Sequence, residues 1–110
     1  MSKEEYIALS TKQLKEKCNI DADAALMEGI VKHLGIAAMG GDASLVSCEQ
    51  ESELKTIKES FLFKKLGLKD GASLDAAIKK ACDALGSSNP LKRRAAFYYL
   101  LCKEFGINSL

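Results

Sequence analysis

Ala95-Ala96-Phe97-Tyr98-Tyr99-Leu100-Leu101-Cys102 is the stretch on which the fold turns. At about 100° per residue it covers more than two helical turns, and every direction around the axis is apolar. Such a helix has no face to offer water and must lie inside, surrounded by other elements. Asn89-Pro90 ahead of it supplies a cap residue and a proline for the first helical position, and Gly106 beyond it supplies a left-handed stop. The sequence predicts a central helix from Pro90 to Phe105.

Upstream, Ser73 can cap a helix in which Leu74, Ala77, Ile78, Ala81, Cys82 and Leu85 form one stripe while Asp75, Lys79, Lys80 and Asp83 face water, with Gly86 as its end. Ser52 can cap another, with Glu53 suited to the dipole of its first turn, Leu54, Ile57, Phe61, Leu62 and Leu66 inward, and Gly67 closing it. Asp21 or Asp23 caps a helix carrying Leu26, Met27, Ile30, Val31 and Leu34, which Gly35 ends. The first helix runs from about Lys3 to Cys18, with Ile7, Leu14 and Cys18 in its stripe and Tyr6 and Leu9 on the flank.

Residues 36 to 51 break the rhythm. Gly40-Gly41-Asp42 marks a turn, and Leu45, Val46 and Cys48 offer one short helical turn within a segment that is mostly loop. No stretch alternates apolar and polar residues between hairpin turns. The expected fold is all-α, a compact bundle of about five helices in a single helical domain over residues 1–110, with the C-terminal helix central.

With 47% hydrophobic and 28% charged residues, one Pro and eight Gly, the composition is neither that of a disordered nor of a fibrous chain. A net charge of +1 gives no overall field to draw nucleic acid or an anionic membrane. The halves differ: residues 1–55 hold six Lys against ten acids, and residues 56–110 hold ten cations against five. Packing of one half on the other would cancel this asymmetry, whereas head-to-tail association or a basic binding face would use it.

Cys18, Cys48, Cys82 and Cys102 stand 30, 34 and 20 residues apart, without a Cys-x-x-Cys pair or a His cluster to make a zinc site. Three of them fall in helical patterns, as small core residues do. Acids at the start, no apolar run of signal-peptide length and no 18-residue apolar stretch lead to the expectation of a cytoplasmic protein, off the membrane, with its thiols reduced.

Candidates for chemistry are few. His33, the only histidine, sits on the flank of the second helix and reads as a boundary residue rather than a base. Cys48 has acidic neighbours, which oppose a thiolate. Glu49, Glu51 and Glu53 alternate, read as a solvated acidic run, and lack the offsets of a calcium loop. The expectation is no catalytic residue, no metal site and no cofactor.

Gly86-Ser87-Ser88-Asn89-Pro90, followed by Lys92, Arg93 and Arg94, is a candidate anion cradle, because a polar loop opening a helix presents free backbone N–H groups. Cations in a first turn oppose the dipole by about 0.3–1 kcal/mol each, so a bound anion or a carboxylate from the acidic half should offset them. Lys64, Lys65, Lys79 and Lys80 could extend that patch for nucleic acid, but the turn at 67 to 72 is long for a helix-turn-helix. Phe63 lies about opposite Leu54, outside its helix's stripe, and is a candidate interface anchor.

Glu53-Leu54-Lys55, Phe61-Leu62, Lys64-Lys65-Leu66-Gly67-Leu68, Leu74-Asp75-Ala76-Ala77-Ile78, Ser88-Asn89, Tyr98-Tyr99-Leu100-Leu101 and Phe105-Gly106 together resemble a bacterial family catalogued as domain of unknown function 2853. The likeness covers roughly residues 52 to 106 and implies a helical fold, with no assigned activity, cofactor or catalytic residue. The functional expectation is a small non-enzymatic protein-interaction module for a protein partner or a second copy of the chain. The alternative is an anion- or phosphate-ligand or nucleic-acid-associated protein using the basic start of the last helix, nucleic acid being the less favoured of these ligands.

Overall fold

The computed structural model describes residues 2–35 and 41–110. Helix α1, Lys3–Cys18, opens on Ser2, whose hydroxyl accepts the Glu5 N–H, and closes on Asn19 in the left-handed conformation. Helix α2, Ala24–Leu34, is capped by Asp23, whose carboxylate accepts from Ala25 and Leu26. A 3-10 turn, Gly41–Ser44, leads to α3, Glu51–Ile57, which continues as a π-helical segment, Lys58–Lys65. Helices α4, Ala72–Ala84, and α5, Arg94–Glu104, complete the chain.

Helix α5 packs against α1, α2, α4 and the 3-10 turn, and it buries Ala95 to Tyr99, Leu101 and Cys102. Its central position follows from its all-round apolar surface, as the sequence indicates. The radius of gyration, 12.6 Å, is close to the ~13 Å of a compact chain of this length.

Helix α5 begins at Arg94 rather than at Pro90. Asn89 explains the difference: its amide nitrogen donates to the Leu85 carbonyl at 3.0 Å and its amide oxygen accepts the Leu91 N–H at 3.0 Å, so the side chain closes a local turn instead of capping a helix. Arg93 then runs extended and is bridged to Leu45, and the Val46 N–H donates to the Lys92 carbonyl at 2.9 Å.

The start of α5 therefore has no side-chain cap of its own, and α1 provides one. The buried Tyr6 hydroxyl accepts the Ala95 N–H at 3.2 Å and donates to the Ser44 carbonyl at 2.8 Å. Gln13 accepts the Arg93 N–H at 2.8 Å and donates to the Leu91 carbonyl. The buried line of α1 is accordingly Tyr6, Ser10 and Leu14, while Ile7 and Cys18 are half-buried beside it.

Three further expectations need correction. The helix predicted from Ser52 to Gly67 changes to π geometry at Lys58, and Gln50 rather than Ser52 precedes it. The Thr56 hydroxyl donates to the Ser52 carbonyl and the Ser60 hydroxyl to the Thr56 carbonyl, so both compete with backbone N–H groups for the ladder. Beyond them the Leu66 N–H reaches back five residues to the Phe61 carbonyl at 2.9 Å. Through this segment Ile57, Phe61 and Leu62 are buried, and Phe63 is half-buried against the core. Gly71, not Ser73, precedes α4. The short helical turn lies at 41–44 instead of 45–48, and residues 36–40, including Gly40 of the expected glycine turn, lie outside the described residues.

Two hydroxyls one turn apart on α1 should respond oppositely to removal. Tyr6→Phe strands the Ala95 N–H and should cost roughly 1–3 kcal/mol. Ser10, fully buried with no hydrogen-bond partner for its hydroxyl among the described residues, should tolerate Ser10→Ala with no loss or a small gain. Urea denaturation of both variants checks this, and a Tyr6→Phe protein as stable as the parent contradicts the borrowed cap.

Candidate functional site

Between α3 and α4 lies an open cleft of about 660 Å³. One wall carries Cys48, Glu49, Glu51, Leu54, Lys55 and Lys58, and the other Asp75, Ile78, Lys79, Cys82, Asp83 and Ser87. Leu54, Ile78 and the two cysteines make it predominantly apolar, and its size falls within the ~300–1,000 Å³ typical of ligand sites.

The walls are linked at both ends. At one, Cys48 and Cys82 form a disulfide, with Cα atoms 6.1 Å apart. This corrects the expectation of four reduced thiols: the stripe of α4 turns Cys82 toward the segment ahead of α3, a proximity that a 34-residue separation does not reveal. At the other end the Lys58 ammonium meets Asp75 at 2.9 Å and Asp70 at 2.7 Å. Hydrogen bonds to Asp70 and then Asp75 hold the Lys58 pKa above its ordinary value, and the Lys58 bond, with help from the Gly71 N–H, holds Asp70 below its own.

Along the rim Lys79 pairs with Asp83 at 3.1 Å. Glu49, Glu51 and Lys55 are exposed and form no ion pair among the described residues, which leaves the disulfide end of the cleft acidic.

A second, polar depression of about 490 Å³ lies on the other side of Cys48. Four of the residues proposed as an anion cradle, Ser87, Ser88, Asn89 and Lys92, line it. The Lys92 ammonium, in a residue only 4% exposed, donates to the Asn89 carbonyl at 2.7 Å and reaches that of Ser87 at 3.5 Å. Arg94 donates to the carbonyls of Ala43 and Leu45 and to the carboxylate of Glu53. Glu53 belongs to the acidic half, so here the offsetting group is a carboxylate of the chain itself.

Arg93 faces elsewhere, into a depression with Lys12, Lys17 and the half-exposed Leu91. Its guanidinium has no hydrogen-bond partner among the described residues. The three cations that adjoin in sequence thus serve three different places. Phe63, the candidate anchor, lies half-buried against the core.

His33 is exposed, its ring centroid 5.7 Å from that of Phe61. Desolvation and then the charge of Lys65 push its pKa below the ordinary value. Burial raises the phenols of Tyr6 and Tyr98, and it raises the Cys102 thiol to about 11. Among the described residues no group of three or more His, Cys, Asp or Glu could hold a metal ion, and no helix is long and apolar enough to cross a membrane.

The cleft residues that sequence reasoning missed are Leu54, Ile78 and the cysteine pair. Leu54 and Ile78 read as core because they lie on apolar stripes, and only the gap between α3 and α4 distinguishes them. A family model described as a protein of unknown function (DUF2853) matches residues 10–109. No curated protein matches the chain.

The Lys58 clasp carries a pH signature. The folded Asp70 pKa lies below 3.8, so its contribution to stability is complete above that pH and fades as pH falls through the folded value. The folded Lys58 pKa lies above 10.5, so its contribution is complete below that pH and is lost as pH rises through the folded value. The melting-temperature difference between the parent and Lys58→Met should stay constant through the neutral range and close in strong acid. A difference that persists there would assign Lys58 a packing role instead.

Proposed function

This chain belongs to the DUF2853 family of proteins of unknown function, and with no activity to inherit we propose that it is a non-enzymatic interaction module whose working surface is the α3–α4 cleft. The proposed occupant is a short amphipathic segment of a protein partner, carrying apolar anchors and a basic residue at the disulfide end. The observation that supports this reading is the open apolar cleft itself, with Glu49 and Glu51 unpaired at one end among the described residues.

From Asp75 to Asp83 the α4 wall is about 12 Å long at 1.5 Å per residue, the length of two helical turns. A segment laid there presents side chains at i, i+3, i+4 and i+7 to Leu54 and Ile78, as in other helix-in-groove contacts. The acidic end then selects polarity and orients the segment. A cytoplasmic location belongs to this reading, and in such a compartment a disulfide is usually transient.

Nuclear magnetic resonance titration with synthetic amphipathic peptides of about two to three turns, differing only in the charge of their polar face, tests the proposal. Basic-faced peptides should shift amides in Glu51–Ile57 and Asp75–Asp83, and Leu54→Glu should weaken them by about tenfold or more, some 1.4 kcal/mol. Shifts located elsewhere, or equal binding of acidic-faced peptides, would contradict it. A concentration-dependent dimer mapping to the same amides would make a second copy the occupant and remove the foreign partner.

A further inference from the structure

The bond between Cys48 and Cys82 occupies a singular position. Both cysteines line the α3–α4 cleft, and Cys48 also lines the polar depression behind it, so this residue borders two openings. Cys48 is half-buried, whereas Cys82 is 8% exposed and held in the stripe of α4. An incoming thiolate can reach the Cys48 sulfur far more easily than its partner.

The segment that the bond restrains is short and bounded. Upstream, residues 43–46 are fixed without it: the Val46 N–H donates to the Lys92 carbonyl, Arg94 holds the carbonyls of Ala43 and Leu45, and Tyr6 holds that of Ser44. Downstream, Glu53 is tied to Arg94. Between these anchors, Gln50 starts α3 without a side-chain cap bond. Within 47–52 the other ties are local, the Gln50 N–H to the Ser47 carbonyl and the Glu53 and Leu54 N–H groups to the Gln50 carbonyl, so breaking the disulfide removes the bond that holds this acidic end of the cleft to α4 and leaves both anchors in place.

We infer that the Cys48–Cys82 disulfide is a reversible thiol–disulfide exchange site that regulates the cleft, reduced by an external neutral or cationic dithiol attacking the Cys48 sulfur. The attacking thiolate forms a mixed disulfide with Cys48 as the Cys48–Cys82 bond breaks, and the Cys82 thiolate that leaves takes up a proton. The second thiol of the reductant, as its thiolate, then attacks the mixed disulfide, releases the Cys48 thiolate to be protonated, and departs as the oxidised reductant. Two electrons pass from the dithiol to the protein.

The protein's other sulfurs do not compete. Cys18 donates its S–H to the Ala84 carbonyl and Cys102 is buried in α5, and burial raises both pKa values, which keeps them protonated. Glu49 and Glu51 beside the bond, with no ion pair among the described residues, repel anionic thiols, which sets the preference for a reductant that carries no negative charge beyond its attacking thiolate. That the exchange regulates binding rests on the interaction reading above; the exchange chemistry does not.

The experiment treats the oxidised protein in native buffer with dithiothreitol, as the neutral dithiol, or with glutathione, as the anionic thiol, and follows alkylation by mass spectrometry and backbone hydrogen exchange. Dithiothreitol should expose Cys48 and Cys82 to alkylation while Cys102 stays protected and the half-buried Cys18 labels to the same extent before and after treatment, and faster exchange should be confined to 47–52. Removal of the reductant and reoxidation should restore the starting pattern. Glu49→Gln combined with Glu51→Gln should speed reduction by glutathione about threefold or more at low salt and speed reduction by dithiothreitol less, because the attacking dithiothreitol thiolate carries one negative charge and the glutathione thiolate a net two.

Reduction only at the rate of global unfolding, alkylation of all four cysteines together, or faster exchange across the whole chain would overturn the inference. The basic-faced peptide is then titrated against both redox forms. Altered affinity on reduction supports regulation, and equal affinity refutes it. Failure of the peptide to bind either form refutes the interaction reading while leaving the exchange result to stand or fall on alkylation.

Discussion

The first N–H groups of α5 have no cap from their own segment, and the side chains of Tyr6 and Gln13 on α1 supply it. A helix buried on every side must have its end groups satisfied by whatever surrounds it, since water cannot reach them. Because one phenol bonds both Ala95 and Ser44, it fixes α5 against α1 and sets the 3-10 turn between them. Arg94, in that same first turn, extends the frame to Ala43, Leu45 and Glu53, and so positions the start of α3. The wall of the cleft is thereby hung from the end of the central helix.

The charge asymmetry of the sequence is resolved unevenly by the fold. Among the described residues, Arg94–Glu53 is the one ion pair that joins the acidic half to the basic half; Lys3–Glu28 and Lys15–Asp21 stay within the first, and Lys58–Asp75 and Lys80–Glu104 within the second. Exposed pairs of this kind contribute little, whereas Arg94 and Glu53 are both largely shielded, with side chains 16% and 24% exposed. Among the described residues the halves thus pair across the fold only at Arg94–Glu53. Glu49 and Glu51 remain as an acidic rim beside the disulfide, which gives the cleft its polarity.

What could be read beforehand was what local rules govern. The helix over Lys3 to Cys18, a cap at Asp21 or Asp23, which the structure places at Asp23, and the central place of α5 follow from short-range patterning and capping and from the absence of any polar face. Asn89 was misread because its amide can cap a helix or close a turn, and distant partners at Gln13 and Leu45 decide between them. The π segment was hidden because Thr56 and Ser60 look like solvated positions until their hydroxyls are seen on the ladder carbonyls. The disulfide and the scattering of Lys92, Arg93 and Arg94 depend on contacts between residues far apart in the chain, which spacing alone does not encode.

The disulfide closes a loop with a sequence separation of 34, which in the chain-entropy picture contributes on the order of 4 kcal/mol, while the core around α5 owes nothing to it directly. The central claim is a rigid α5 frame from which a locally yielding cleft wall is suspended. Residue-resolved hydrogen exchange of the oxidised protein in native buffer tests it most directly. The amides of Ala95 to Cys102 should exchange only through global unfolding, and those of 47–52 should open by a separate process orders of magnitude more frequent. Equal protection of the two regions would contradict the account.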